Sequence, residues 1–454
     1  MSPPTEGQRE GSLEAPTRHP LDWRSPSFYD AAALAAELSR VFDICHGCRR
    51  CFSLCNAFPT LFEAIDAAPS GELDSVDRKV YWQVVDHCYL CDMCFMTKCP
   101  YVPPHPWNVD FPHLMLRAKA ARAREAGLPL RDRVLAATDR VGMLAGIPVV
   151  AEAVNAVNRT RVGRVLLEKL AGVHRDAPVP EYHSRSARKT LASRGFAVAG
   201  AAPAQQQATL ETRGQVALFV TCYANRNEPE LASDLVAVFE HNGIAVRLVP
   251  TERCCGMPSL ELGNLEEVAR MKEINIPQLQ AVIAAGYDIV APIPSCVLMF
   301  KQELPLLFPE DAAVQAVRAR IFDPFEYLML RHRAGLLRTD FKATLGKVSY
   351  HVPCHLRVQN IGLKTRDVLK LIPGTTLEVI ERCSGHNGTY AVKKEFRAAA
   401  VKIGRPVMQK VENAQADYYA SDCPMAGHQI ESELPTAHPP THPMALLRKA
   451  YGLE

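Results

Sequence analysis

Apolar residues recur with two different periods along the second half of the chain. Short apolar runs such as QVALFV and IAVRLVP alternate with longer stretches such as PELASDLVAVFEHNG, in which apolar residues return every three or four positions. The short runs are typical of strands, and the longer period is typical of helices. Strands that alternate with helices favour a parallel α/β architecture.

This order of elements occurs twice, and cysteines end the strand patterns in both copies. The strand-end cysteines are Cys222, Cys254, Cys255 and Cys296 in the first copy and Cys354, Cys383 and Cys423 in the second. Free cysteine is often a small buried core residue, but recurrence at equivalent positions favours ligation. The carboxyl ends of parallel strands form a ligand crevice, so we predict one sulfur site in each copy.

Helical spacing also dominates the region before residue 125, where cysteines lie in two dense runs. The first run is Cys45-x2-Cys48-x2-Cys51-x3-Cys55, and the second is Cys88-x2-Cys91-x2-Cys94-x4-Cys99-Pro100. Three thiolates at intervals of three can hold three corners of a cubane, while the fourth cysteine of each run reaches the other cluster. The pattern predicts a helical, two-cluster ferredoxin-like module.

The spacing assigns eight ligands to two 4Fe-4S clusters. The first cluster is assigned Cys45, Cys48, Cys51 and Cys99, and the second Cys88, Cys91, Cys94 and Cys55. Two four-cysteine zinc sites are the alternative, although such sites normally use two separated CxxC pairs. A zinc-stabilised scaffold without redox chemistry therefore stays open as one hypothesis.

Composition and charge limit the functional classes and cellular locations that we expect for this protein. The chain has 454 residues, a formal net charge of +3 and 15 cysteines. Near-neutral charge predicts no nucleic-acid partner, and an odd number of clustered cysteines does not suit disulfides. The N-terminus has no apolar signal segment, so we expect a cytoplasmic protein. No apolar run is long enough to span a membrane.

The segment between residues 117 and 194 is basic, with sixteen Lys or Arg against seven Asp or Glu. A solvated helical linker is one interpretation, and a surface for anionic lipid or a membrane-bound partner at the inner face of the plasma membrane is another; a nucleic-acid surface is the least favoured. The Ala- and Gln-rich stretch that follows is typical of a linker.

On the basis of these motifs, the chain resembles the CCG-domain iron–sulfur proteins. Heterodisulfide reductase subunits and the C subunit of anaerobic glycerol-3-phosphate dehydrogenase belong to this family. The features that carry the resemblance are the two cysteine runs, Cys222…Cys254-Cys255-Gly256…Cys296, and the segments SGHNGTY and SDCPMAGH. The resemblance implies electron transfer between a redox partner, either a dehydrogenase subunit or a rubrerythrin-like protein, and a quinone or thiol/disulfide acceptor. It also implies one or two further iron–sulfur clusters in the CCG modules.

The chain departs from the family pattern of five cysteines per CCG module. Met299 replaces the last cysteine of the first module, and Ser384 and Ala426 replace two in the second. The second module thus keeps three thiolates, which would leave one iron of a cluster without a cysteine ligand. That iron could bind substrate or quinone, or a histidine could complete its coordination. Alternatively, the second module holds no cluster.

Three histidines lie close in sequence to the retained cysteines of the second module, namely His355, His386 and His428. We take His386 as the first candidate metal ligand among them. A self-contained reductase that uses an open-sided cluster on a disulfide, quinone or peroxide is the alternative function.

These interpretations combine into a multi-domain α+β protein. We predict a disordered tail over residues 1–24, the ferredoxin-like module over 25–125, a basic helical linker over 126–212, and two repeated α/β CCG modules over 213–340 and 341–454. The main predicted function is an electron-transfer subunit. No catalytic residue is identified, and no GxGxxG or P-loop motif supplies a nucleotide cofactor.

Overall fold

The computed structural model describes residues 16–97, 99–200, 207–434 and 439–453. The chain forms two compact units, the first with residues up to 129 together with 259–266, and the second with residues 130–258 and 267–454. Most of the predicted tail, residues 1–15, lies outside the described residues. In the described part of the tail, Arg18 donates hydrogen bonds of 2.9 Å each to Asp92 and Asp110.

The first five helices belong to the first unit. They are α1 (Ala31–Cys48), α2 (Ala57–Asp66), α3 (Arg78–His87), α4 (Met93–Thr97) and α5 (Phe111–Ala126). Helix α1 begins where the Asp30 carboxylate accepts from the Ala33 N–H, which satisfies a free helix-end donor. It ends at Arg49, whose φ of 54° is left-handed and turns the chain within the first cysteine run.

An aromatic core holds these helices together. Phe42 packs on Tyr81 of α3 with ring centroids 5.0 Å apart, and Phe58 packs on Phe111 of α5 at 4.7 Å. These side chains are almost fully buried, so the cysteine runs are supported by a dry apolar framework. The helical character predicted for this module is confirmed.

The remaining helices follow in chain order. They are α6 (Leu130–Ala136), α7 (Thr138–Ala145), α8 (Pro148–Arg159), α9 (Arg161–Ala171), α10 (Ala187–Ser193), α11 (Cys222–Arg226), α12 (Pro229–His241), α13 (Met257–Glu261), α14 (Leu265–Ala284), α15 (Pro294–Leu298), α16 (Leu304–Leu307), α17 (Ala312–Arg320), α18 (Pro324–Arg333), α19 (Cys354–Arg357), α20 (Lys364–Leu369), α21 (Arg397–Ala414), α22 (Pro424–Glu431) and α23 (Pro443–Tyr451).

The second unit contains two parallel sheets. Their strands are β1 (Gln215–Leu218), β2 (Ala245–Leu248), β3 (Asp288–Val290), β4 (Ile321–Phe322), β5 (Lys347–His351), β6 (Thr376–Ile380) and β7 (Tyr418–Ser421). The first sheet has the order β2-β1-β3-β4 and the second β6-β5-β7. Every pair is parallel, with Val216 opposite Val246 and Asp288 in the first sheet.

The first three strands of each sheet have the same topology, and the first sheet adds β4 beside β3. In each, the first strand in sequence lies in the centre, the second lies on one side and the third on the other. The predicted repeat of two α/β modules is therefore confirmed. Because all strands are parallel, the cysteines that follow them lie at the carboxyl edge of each sheet.

Helices α6 to α9 carry an exposed apolar surface. Among the described residues, eleven of the sixteen exposed large apolar side chains lie between residues 130 and 170. We call this set the apolar surface; its members are Leu130, Val134, Met143, Leu144, Ile147, Val149, Val150, Val157, Val162, Leu166 and Leu170.

No single helix in the described part of the chain is both long and apolar enough to cross a membrane. Helices α7 and α8 together have the length and apolar composition of a membrane-crossing segment, but they are bent by 104° to each other.

Candidate metal centres

The first ferredoxin-like site brings together the sulfurs that the spacing assigned to one cluster. Cys45, Cys48, Cys51 and Cys99 line the same void, beside Phe58. Burial raises the pKa of Cys45 well above its usual value, and the neighbouring Cys99, Cys51 and Cys48 raise it further. Several buried thiols of this kind cannot all ionise without nearby positive charge, which iron ions would supply.

Three of the four cysteines predicted to hold the second cluster also lie close together. Burial raises the pKa of Cys94 well above its usual value, and Cys51, Cys88 and Cys55 add to the effect. Cys51, assigned to the first site, thus also lies near the second. Leu90 and Asp92, on either side of Cys91, both have left-handed φ values, of 53° and 59°, as a tight cysteine loop requires.

Lys119 is a charged neighbour of this second site that the sequence did not single out. Its ammonium group donates to the backbone carbonyls of Cys88 and Glu261. Burial raises the pKa of the Cys88 thiol, while the Lys119 charge lowers it. Lys119 therefore favours an anionic site at Cys88.

The first CCG module places four cysteine side chains next to one another in three successive pairs, Cys222–Cys254, Cys254–Cys255 and Cys255–Cys296. Cys254 is hydrogen-bonded to Cys222 and Cys255, and these bonds hold its pKa well below the usual value. The bond to Cys254 raises the pKa of Cys222. Bonds to Cys254 and Cys296 raise the pKa of Cys255. Four neighbouring, largely buried sulfurs form a donor set that a cationic iron–sulfur core would complete.

Polar groups distant in sequence hold the cysteine pair of this site. The Cys254 N–H donates to Asp139 of α7, and the Asn275 amide donates to the Cys254 carbonyl at 3.0 Å. Burial raises the pKa of Asp139 to about 6. Nothing in the local sequence marks Asp139 as part of this site, because it lies in the segment predicted as a basic linker.

The second CCG module carries its three cysteines at the carboxyl ends of neighbouring strands. Cys354 follows the central strand β5, Cys383 follows β6 and Cys423 follows β7. The Gly385 N–H points at the Cys383 sulfur from 3.3 Å. Burial raises the pKa of Cys423 to about 12.

The three candidate histidines of this module differ in their partners. His355 Nδ1 is 2.7 Å from the Ser295 hydroxyl. Both ring nitrogens of His428 are engaged, at 3.0 Å from Glu228 and at 3.0 Å from Glu431. Both ring nitrogens of His386 are shielded from solvent and have no hydrogen-bond partner among the described residues. Burial lowers the pKa of His386 to about 4, which leaves the neutral imidazole that ligation requires.

Within the described residues, no three His, Cys, Asp or Glu side chains have the spacing that would hold a single metal ion. Four sulfurs bound to one zinc ion would have to lie only about 3.8 Å from one another, and the described cysteines do not have this spacing. The assignment of particular cysteines to particular clusters stays a prediction.

Comparison with known proteins places these sites in a family context. The model of the cysteine-rich domain family, abbreviated CCG, matches residues 216–301 and 348–431. The two matches contain all seven strand-end cysteines, which agrees with the repeat.

Relatives extend the similarity beyond these domains. The C subunit of anaerobic glycerol-3-phosphate dehydrogenase from Escherichia coli is 29% identical over 347 residues, which cover 76% of this chain and 83% of that protein. Lactate utilization protein A of an Exiguobacterium species is 30% identical over 39% of this chain and 74% of its own length. The B subunit of the fumarate reductase (CoM/CoB) of Methanothermobacter marburgensis is 26% identical over 48% of this chain and 42% of that protein.

Proposed function

The chain belongs to the family of proteins built on the cysteine-rich CCG domain, and we propose that it is an iron–sulfur oxidoreductase subunit that transfers single electrons. Two of the relatives are named as subunits of a dehydrogenase and of a reductase, which supports a redox partner protein. The observation that carries the proposal is the succession of neighbouring pairs formed by Cys222, Cys254, Cys255 and Cys296. Iron–sulfur clusters change charge by one electron at a time.

In the proposed relay, two 4Fe-4S clusters of the N-terminal module exchange electrons with at least one cluster in the CCG modules. The donor is a dehydrogenase subunit or a rubrerythrin-like protein, and the acceptor is a quinone or a thiol/disulfide couple. The protein contributes dry, apolar surroundings such as Phe58 and buried thiols, both of which tune cluster potential.

Metal analysis of anaerobically purified protein tests this function. We expect about twelve to sixteen irons with matching sulfide, and EPR signals after dithionite reduction. If the protein holds about sixteen irons, Cys48→Ala, Cys254→Ala and Cys383→Ala should each remove about four irons and one distinct signal; if it holds about twelve, only one of Cys254→Ala and Cys383→Ala should do so. Each variant is the control for the other two, because the three positions lie in different predicted sites. A colourless protein that contains zinc without sulfide would instead establish the scaffold hypothesis.

Turnover separates the relay from a self-contained reductase. With an artificial electron donor, the isolated chain should reduce disulfide, quinone or peroxide only when a partner protein that acts on this substrate is added. Sustained turnover without a partner would favour the reductase, because substrate reduction at a metal needs an open coordination position.

For the second CCG module we propose a site of three cysteines and one histidine, with His386 as the fourth ligand. The unpartnered, shielded nitrogens of His386 support this choice over His355, whose Nδ1 is engaged, and over His428, whose two ring nitrogens are both engaged. A nitrogen ligand gives ¹⁴N couplings in pulsed EPR spectra of the reduced cluster. His386→Cys should abolish these couplings and lower the reduction potential, because imidazole in place of thiolate raises it. His428→Gln should leave the couplings unchanged, and their loss in this control would contradict the assignment.

A second function, attachment to an anionic membrane at the inner face of the plasma membrane, is favoured by the apolar surface. Val149 and Val162 are 77% and 81% exposed, and the surrounding segment carries nine more positive than negative charges between residues 117 and 194. Apolar side chains beside basic ones suit the interface of anionic lipids.

Vesicle flotation tests this attachment. The wild type should float with phosphatidylserine vesicles at low salt, and the double variant Val149→Asp, Val162→Asp should not. Val198→Asp is the matched control, because Val198 is also exposed but lies outside the apolar surface. Equal flotation of the two variants would refute the proposed surface.

A further inference from the structure

The segment that precedes α1 carries one arginine into the second ferredoxin-like site. Arg18 donates from Nη1 and Nη2 to the two carboxylate oxygens of Asp92, at 2.6 and 2.9 Å, as a bidentate pair. Its Nε and Nη2 donate to the two oxygens of Asp110, at 2.9 and 3.1 Å. The side chains of Arg18, Asp92 and Asp110 are only 11%, 4% and 20% exposed. One cation therefore holds two largely buried carboxylates.

Both carboxylates act on the cysteines of this site. Asp92 directly follows Cys91 and has a left-handed φ of 59°, which few residues other than glycine adopt. Burial raises the pKa of Cys88, although Lys119 opposes the rise. The nearby charges of Asp92 and Asp110 raise it further. These negative charges disfavour a thiolate at Cys88 unless a cation offsets them.

Packing fixes the position of the arginine. The Arg18 guanidinium carbon lies 4.6 Å from the centroid of the Phe95 ring, an arrangement that favours a cation over an aromatic face. Phe95 directly follows Cys94 and is almost fully buried. The Thr17 N–H donates to the Pro103 carbonyl at 3.1 Å. Arg18 is thus a built part of the site, although the sequence assigned it to a tail.

Negative charge at this position exceeds positive charge once a cluster is bound. Burial would raise the pKa of Asp110, but the charges of His113 and Arg18 lower it to about 2, so this carboxylate is ionised near neutral pH. A 4Fe-4S cluster bound by four thiolates is an anion, and its reduction adds a further negative charge. Charges act strongly on one another where water is excluded. Loss of Arg18 would leave both carboxylates beside that anion without compensation.

We propose that Arg18 is a positioning residue of the second ferredoxin-like cluster, which acts through Asp92 and Asp110 and offsets the negative charge that opposes reduction of the cluster. The proposal rests on the proposed function and deepens it, because it names the residue that keeps this cluster within reach of its electron donor. It also gives a role to a segment that carries none of the cysteines.

Potentiometric EPR of anaerobically purified protein tests this role. Arg18→Gln keeps hydrogen-bond donors but removes the charge. At the potential where the wild-type cluster is half reduced, the ratio of reduced to oxidised cluster should fall about tenfold, which is about 59 mV for a one-electron couple. Only one of the two N-terminal clusters should shift. Arg18→Lys keeps the charge without the planar fork and should restore most of the ratio.

A double variant separates charge from lost packing. Asp92→Asn removes one carboxylate, and asparagine tolerates the left-handed conformation at this position. Combined with Arg18→Gln, it returns the group to its wild-type net charge. The ratio should therefore recover although the ion pair is absent. If Arg18→Gln alone loses iron, the double variant and Arg18→Lys still report the potential.

Arg40→Gln is the matched control, because Arg40 is an arginine of the same unit that pairs with Glu37 of α1 at 2.6 Å. It should leave both N-terminal clusters at their wild-type potentials. An unchanged ratio in Arg18→Gln, an equal change in Arg40→Gln, or a ratio that stays low in the double variant would overturn the proposal. Iron and sulfide measured on the same samples separate these results from failure of the proposed function, which would show as a wild type without clusters.

Discussion

Gly385 offers a direct test of how the second CCG module holds its cysteine. Its φ is +76°, and a Cβ added there would lie 2.0 Å from the Ala400 carbonyl oxygen in the backbone of α21. The left-handed conformation alone costs an L-residue about 1–2 kcal/mol. The collision with a helix backbone adds an overpacking cost of about 1–3 kcal/mol. We therefore expect Gly385→Ala to lower the free energy of unfolding by about 2–5 kcal/mol.

Gly335→Ala is the matched control. Gly335 has a φ of +71°, but a Cβ there would meet nothing within 4 Å, so only the conformational cost of about 1–2 kcal/mol applies. Urea unfolding of both variants, followed by far-ultraviolet circular dichroism under anaerobic conditions, gives the comparison.

The same substitution should also affect metal content. The Gly385 N–H contacts the Cys383 sulfur, so a backbone shift should displace this proposed ligand and reduce the iron content by about four. Equal unfolding free energies and equal iron content in Gly385→Ala and Gly335→Ala would refute the reasoning.

Three further predictions concern charged groups. Hydrogen bonding to Glu228 raises the pKa of His428, burial opposes this, and Glu431 adds to the rise. The charged imidazole therefore stabilises the fold below about pH 6.5, and this contribution is lost as pH rises through the raised pKa. The unfolding free energy of the wild type should exceed that of His428→Gln by up to about 1 kcal/mol at pH 6, and a constant difference up to pH 9 would contradict this. Lys119→Gln should shift one N-terminal cluster to a more negative potential by roughly 20–60 mV in a potentiometric EPR titration, whereas Lys394→Gln should not. Arg397, which donates to the Gln429 amide oxygen at 2.7 Å and to Glu433, is 4% exposed. Arg397→Met should cost about 2–4 kcal/mol in urea unfolding, and a loss below 1 kcal/mol would show that these bonds are not needed.

The sequence alone determined the features that depend on residues close together along the chain. Helical and strand periodicity depends on a few neighbouring residues, so the repeat of two α/β modules could be read from runs such as those ending at Cys222 and Cys354. The cysteine runs predicted a two-cluster module because spacing along the chain limits which sulfurs can reach one cluster. Cys45 and Cys99 line one void in the structure, and their assignment to one cluster stays a prediction.

Tertiary structure decided the rest. Asp139 reaches the Cys254 N–H although 115 residues separate them, and no local pattern encodes such a contact. Sequence proximity could not distinguish His355, His386 and His428, because their hydrogen-bond partners come from other segments of the chain. Which apolar side chains stay exposed in the apolar surface depends on which elements pack over them. Packing between distant segments sets burial, and burial sets which polar groups lack partners.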